Sequence, residues 1–358
     1  MRPNSHERED AMIAVDTKPA LTLEEIRRLP GPERLAWVEQ VRIFYPRWHE
    51  TVAEIRRCHQ MNTLAAEPQC LMLVGPTGAG KTTLIDSYTR DYPTRLTETS
   101  IQRPIVQATI PTPATVKNLE TTLLDALGDP RAGQGTIGGM ARRLINFFRD
   151  CRVELLILDE LQHFVDRDSQ KVLQTVSNWL KTLVKETKVA CVLVGLEGEA
   201  EQVVDANPQL ARLFGDPYVL APFTWDEGCP ATIQEFRTFL SQLERLLPLN
   251  EPSHLADRET AWRCFVACEG IIGYLMALIR RATYLALTQG RERLDHVLLS
   301  LAFTQRLAGV RRGIPNPFIG DLPVRAHRPP PGTKGKHGGT NRRSRSRVER
   351  QETLKDVL

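Results

Sequence analysis

Apolar positions change period twice along the chain. Between residues 21 and 64 they recur every three to four places: Leu23, Ile26 and Leu29, then Leu35, Val38, Val41 and Phe44, then Trp48, Val52 and Ile55. That spacing lays one apolar stripe along each of three helices. Thr22 offers a cap for the first, Pro30-Gly31-Pro32 stops it, and Pro46 ends the second pattern. From Gln69 the pattern becomes short continuous apolar runs, Cys70–Val74, Ile105–Ile110, Val153–Leu158 and Val189–Val194. Such runs predict strands of a parallel sheet covered on both faces. Helical patterns separate them over 81–90, 113–127, 137–149 and 168–186, and Gly128-Asp129-Pro130 stops the second of these. Strands alternating with helices predict βαβ units and a parallel sheet. After about residue 222 the strands stop, and four helices are predicted over 227–246, 255–268, 271–289 and 293–307.

Beyond Arg311 the sequence is rich in Pro, Gly, Ser and Arg, a composition that cannot build a core. The expected organisation is a disordered start over 1–20, an N-terminal helical region over 21–66 and an α/β domain over 67–224. A helical domain over 225–312 and a basic disordered tail over 313–358 complete it.

Composition narrows the class. A chain of 358 residues with 41% hydrophobic and 25% charged positions is long enough, and apolar enough, for a substantial core. No stretch approaches the roughly eighteen consecutive apolar residues of a membrane span. The polar start lacks the apolar segment of a signal peptide, so a cytoplasmic protein is expected. Seven scattered cysteines do not make a disulfide framework. Cys264 and Cys268 share a helix face, but no second Cys or His pair stands at ligand spacing, so they read as core residues. The net charge of +4 is uneven: residues 321–358 hold ten Lys/Arg against four acids, leaving the remainder slightly acidic.

Two motifs carry chemistry. Gly75-Pro76-Thr77-Gly78-Ala79-Gly80-Lys81-Thr82, followed by Thr83, completes the G-x-x-x-x-G-K-[ST] pattern between a strand and a helix. Its glycines turn backbone N–H groups inward around phosphates, and the helix beginning near Lys81 aims its positive end at them. Lys81 would reach the β- and γ-phosphates of ATP, and Thr82 would give its hydroxyl to Mg²⁺. The second motif, Leu155–Leu158 followed by Asp159-Glu160, delivers two carboxylates to the C-terminal edge of a strand, where open α/β sheets place ligands. Asp159 would hold Mg²⁺ and Glu160 would act as general base toward water. His163 lies close by, yet a capping or phosphate-sensing role suits Gln162 or His163 better than catalysis does.

The strand-end acid pair, the strand at 189–194 and the trailing helices together resemble the AAA+ ATPases. That resemblance implies a P-loop parallel sheet with an N-terminal helical collar and a C-terminal helical lid, and a nucleotide held between sheet and lid. It also implies an arginine finger supplied to a neighbouring subunit, for which Arg212 in Pro208-Gln-Leu-Ala-Arg-Leu-Phe214 is the candidate. Two departures stand out. The fourth strand ends Leu193-Val-Gly195-Leu-Glu197 without the usual polar sensor, and Gly273 stands where relatives carry a sensing arginine, leaving Arg280 or Arg281 to reach inward.

Within that class the chain resembles the transposition ATPases TniB and TnsC, relatives of MuB, with TniB nearer. The resemblance spans about 21–318 and rests on Tyr45-Pro46, the P-loop segment, Pro111–Asn118, Leu124–Pro130, Leu158–His163, Gly195–Glu197, Asn207–Arg212, Phe223–Trp225 and Asn316–Phe318. It implies a DNA-associated regulator that binds ATP and assembles as a ring or helical homo-oligomer on double-stranded DNA. Such a regulator recruits a DDE transposase, in some systems after a separate targeting factor. No three-carboxylate constellation in a separate domain is found, so strand transfer falls to the partner. Arg95, Arg103, Lys117 and Asn118 border the second strand, where this family's DNA-facing loops occur, and the basic run Arg342–Arg347 offers another contact. Two other classes fit parts of the chain. A STAND-type nucleotide switch would carry a long effector region, and a remodeller acting on protein would carry an aromatic pore loop.

Overall fold

The structure, a computed structural model, describes residues 21–98, 100–165 and 170–323. The predicted disordered start at 1–20, the first two positions of the helix predicted over 168–186, and the Arg342–Arg347 run lie outside them.

Among the described residues, seven strands form in chain order: β1 (Cys70–Val74), β2 (Arg95–Leu96), β3 (Ile101–Gln102), β4 (Ile105–Thr109), β5 (Leu155–Asp159), β6 (Ala190–Gly195) and β7 (Tyr218–Val219). Five of them make one sheet in the order β4-β5-β6-β1-β7, every neighbouring pair parallel. The register sets Val74 opposite Gly195 and Thr109 opposite Asp159, so these strands end on one edge. β2 and β3 form a separate antiparallel hairpin, which the sequence pattern did not predict.

Side chains alternate across the sheet with the period of two that strands impose. Leu71, Leu73, Leu155, Ile157, Val192 and Val194 face one apolar cluster, while Met72, Val74, Leu156, Leu158 and Leu193 face another. The second cluster is closed by α5 (Val116–Leu127), α6 (Ile137–Asp150) and α7 (Gln170–Thr187). The first includes α2 (Gly31–Gln40) and α3 (Pro46–Met61) of the collar. It also includes the P-loop helix α4 (Lys81–Arg90) and the lid helices α10 (Pro230–Leu246), α11 (Arg258–Cys268), α12 (Ile272–Thr288) and α13 (His296–Arg306). The change from strands to helices near 224 is therefore not a break in the core. Collar, sheet face and lid share one continuous interior. Cys264 and Cys268 are fully buried within it, and no cluster of three metal-ligating side chains occurs among the described residues.

Arg47 bolts these parts together. It donates to both oxygens of Glu235 (2.9 and 3.0 Å) and to the carbonyls of Ala221 and Pro222, and it lies 4.6 Å from the centre of the Phe223 ring. A planar fork with five donors suits such a junction of side-chain and backbone acceptors.

Three expectations are corrected. The second collar pattern predicts a helix up to Pro46, but the helix stops at Gln40, residues 41–45 form no regular element and Tyr45 is extended. Pro46 disfavours helical geometry at Tyr45, and Val41, Ile43 and Tyr45 are buried on alternate positions as in a strand. The helix expected from Pro113 begins at Val116, because the Thr115 hydroxyl accepts the Asn118 N–H and caps it there. Finally, packing continues past 312. Phe318 is buried, Arg263 donates to the carbonyls of Pro317 and Gly320, and the Trp262 indole donates to Pro323 O at 2.8 Å.

Candidate functional site

The P-loop connects β1 to α4 at the edge where the strands end. Gly78 and Gly80 hold φ of 81° and 97°, the left-handed region that residues with a Cβ rarely adopt. Gly80 is also the N-cap of α4 and brings no side chain to the first-turn amides. Those N–H groups point out of the helix end, an arrangement that favours phosphate oxygens.

Thr77–Thr83 line a cavity of about 370 Å³ together with Glu160, Leu196 and residues of collar and lid. Gly75 and Pro76 contribute their carbonyls, which accept from Lys81 Nζ at 2.7 and 3.1 Å. Burial pulls the Lys81 ammonium down from its ordinary pKa, and the nearby Asp159 and Glu160 oppose that shift. Thr82 Oγ1 donates to Asp159 Oδ2 at 2.7 Å, and the Glu160 amide donates to Asp159 Oδ1 at 2.8 Å. Asp159 is 2% exposed and makes no salt bridge among the described residues. Burial raises its carboxyl above the ordinary aspartate value, while the bonds from Thr82 and the Glu160 amide act the other way. Glu160, at φ 62°, projects beside Thr82 into the cavity.

Much of the remaining wall is apolar: Val41, Ile43, Tyr45 and Trp48 from the collar, Phe239, Ile272 and Met276 from the lid. Tyr45 is fixed by ring contacts to Phe223 (5.2 Å) and Phe239 (5.6 Å). The P-loop thus suits phosphates and the apolar wall a flat aromatic base. These collar residues were missed in the sequence. Their two-residue alternation was visible but overlapped a helical pattern.

The lid touches the loop directly. Gly273 N donates to Gly78 O at 2.8 Å, and a Cβ at Gly273 would lie 2.9 Å from both the Cα and the O of Gly78. An arginine cannot stand at Gly273 without separating lid from P-loop. Of the two alternatives named in the sequence, Arg280 lines the cavity, beside Arg42, and pairs with Glu39 at 3.3 Å. Arg281 instead donates to Gln305 and lies 4.7 Å from the Tyr284 ring centre.

Other predicted residues lie elsewhere. Arg212, on the short helix α9 (Pro208–Phe214; α8 is Ala200–Asp205), does not line this cavity; it is 76% exposed and pairs with Glu67 at 3.2 Å. His163 Nδ1 lies 2.9 Å from Ile110 O, tying the turn after β5 to the end of β4. Glu197 is exposed beyond the strand end and does not line the cavity. Arg103 donates to Ala126 O at the C-terminal end of α5, whereas Lys117 and Asn118 stand at its beginning. At 1.5 Å rise per residue, that separates Arg103's contact from Lys117 by roughly 14 Å. Arg95 is exposed on the β2–β3 hairpin, and Asn118 Nδ2 donates to Pro113 O at 2.9 Å. The Arg103 contact and Lys117 therefore stand apart.

The parallel sheet, the P-loop, the strand-end acids and the helical lid define a P-loop ATPase of the AAA+ class. The profile of the family described as bacterial TniB protein matches residues 34–223, over half of the chain. The chain belongs to that family. Among solved structures it is similar to the ORC2 protein of Aeropyrum pernix in ADPNP–ADP complexes (TM-score 0.52, 18% identity, covering 72% of this chain and 66% of that one). The ORC1 protein of the same organism in complex with DNA gives a TM-score of 0.50 at 17% identity, covering 71% and 64%. Cdc6p of Pyrobaculum aerophilum gives 0.53 at 16% identity, covering 75% and 71%. The chain thus spans about two thirds of the length of these neighbours, and the likeness is one of fold. No curated protein sequence matches. No single helix among the described residues is long and apolar enough to cross a membrane.

Proposed function

We propose that this chain is an ATP-dependent, DNA-associated regulator of transposition that assembles as a homo-oligomer on duplex DNA and recruits a DDE transposase. The observation that carries the reading is a complete P-loop and strand-end acid pair, closed over by a lid, in a chain of the TniB family. A fold shared with an ORC1 protein in complex with DNA supports the DNA association.

In this reading the first-turn amides of α4 and Lys81 bind the phosphates. Lys81 exchanges its two backbone carbonyls for phosphate oxygens, an acceptor better matched to a cation. Thr82 and Asp159 supply the hard oxygen donors that Mg²⁺ prefers, and a buried carboxylate that makes no salt bridge among the described residues fits such a site. Bound there, the ion would neutralise charge on the β- and γ-phosphates. Glu160 orients a water and accepts its proton. Arg212, exposed and remote from its own cavity, would act on the nucleotide of the adjoining subunit. Lys117 and Asn118, beside the nucleotide edge of the sheet, remain candidates for DNA phosphate contact, as does exposed Arg95. Arg103, committed to the end of α5, is the weakest of the four.

Binding to a random-sequence duplex, measured with ATP, a slowly hydrolysed analogue, ADP and no nucleotide, tests this reading. The analogue should drive cooperative binding that weakens steeply between 50 and 200 mM salt, as phosphate contacts require. Lys81→Ala should abolish it. Absence of DNA binding in every nucleotide state would refute the transposition reading and favour a nucleotide switch or a remodeller of proteins.

A further inference from the structure

We propose that Gln162 is a positioning residue for hydrolysis, bracing Glu160 from behind against the end of strand β6; this rests on Glu160 being the general base. Gln162 lies on the 3₁₀ turn Leu161–Phe164 that follows β5, and it is 8% exposed. Its Nε2 donates to Glu160 Oε2, and its Oε1 accepts the Leu196 N–H at 3.3 Å. Chemistry fixes which way the amide faces. A carboxylate only accepts and a peptide N–H only donates, so a flipped amide would break both bonds. Among the described residues no other side chain bonds the Glu160 carboxylate.

The two residues divide the work by position. Glu160 lines the cavity and Gln162 does not. The brace therefore holds the carboxylate toward the nucleotide without occupying nucleotide space.

Gly195 makes room for it. A Cβ there would lie 3.2 Å from Gln162 Oε1, 3.3 Å from Leu161 Cβ and 2.9 Å from Ala200 Cβ. The absent side chain lets the glutamine reach the next amide along β6. This accounts for a strand end without a polar sensor. Leu196 presents an apolar side chain to the cavity, Glu197 points away, and the link from β6 to the base runs through the Leu196 backbone amide and Gln162.

Gln162→Met keeps the length of the side chain and removes both hydrogen-bonding atoms. Steady-state hydrolysis should show kcat reduced roughly tenfold to a hundredfold, the range expected when a catalytic group is misplaced by about 1 Å. KM and the Kd for ATP should stay within roughly twofold, since the phosphate and base contacts are untouched. In single-turnover hydrolysis the double variant with Glu160→Gln should be no slower than Glu160→Gln alone. Gln162→Asn, still polar but one methylene too short to span both partners, should also lower kcat, which separates bracing from loss of fold. An unchanged kcat in Gln162→Met, or a fall in kcat matched by a fall in ATP affinity and melting temperature in both variants, overturns the proposal. If Glu160→Gln hydrolyses ATP normally, the general-base reading itself fails; if it is inactive while Gln162→Met is normal, the brace alone fails.

Discussion

Lys81 and Asp159 bring opposite charges into one corner that excludes much of the water, and burial disfavours the charged form of each. For Asp159 the folded pKa lies above the unfolded one. Its contribution to stability is therefore fully present below the ordinary value of 3.8 and is lost as pH rises through the folded value. At neutral pH the nucleotide-free protein carries a penalty that a bound cation would relieve. Asp159→Asn should raise Tm at pH 7, and the gain should vanish below the unfolded pKa. The same variant should lose the thermal shift that Mg²⁺ adds to ATP. A melting series over pH with and without Mg²⁺ checks both outcomes. Lys81, Thr82, Asp159 and Glu160 were readable from sequence because short fixed spacings bind their geometry to one turn. Gln162's partnership with Leu196 was not, since it crosses 34 residues, a helix and a strand.

Elements decide how the cavity closes. The first turn of α12 lies against the P-loop with glycine on both sides, Gly78 and Gly273, and a backbone hydrogen bond between them. Gly273→Ala places a Cβ 2.9 Å from backbone atoms that cannot move aside as a flexible side chain could. Overpacking of this kind costs about 1–3 kcal/mol. The variant should melt at lower temperature and bind ATP roughly tenfold more weakly, as calorimetric titration would record. If affinity holds while stability falls, the contact serves the fold alone. The residues of α12 were legible as a helix from sequence, but the meaning of Gly273 was not. A missing arginine there looked like a lost sensor, and in three dimensions it is a requirement of close packing.

On the scale of the whole molecule, Arg212 makes the strongest statement. It sits outside the cavity, exposed, on a short helix after β6, with Glu67 as its partner. In the proposed assembly such a residue would serve the nucleotide of another copy, not its own. Arg212→Ala should keep ATP affinity and lose hydrolysis, and so should Glu160→Gln. Mixing the two inactive variants should restore part of the rate, because some junctions then pair an intact Glu160 with an intact Arg212. Failure of the mixture, in an assembly shown to exchange subunits, would remove Arg212 from the catalytic role.

Local pattern was enough to place the four long core strands, most of the helices and the P-loop turn between β1 and α4. Strand runs, helix stripes and the Gly75–Thr82 and Asp159–Glu160 motifs depend on neighbours within a few residues, so local pattern suffices to read them. Tertiary structure decided the rest. It buried Val41, Ile43 and Tyr45 in the wall of the cavity, with Tyr45 against Phe223 and Phe239. It drew residues up to Pro323 onto the lid, and it set Arg103 and Lys117 at opposite ends of one helix. Contacts between residues far apart in sequence leave no period along the chain, and only packing reveals them.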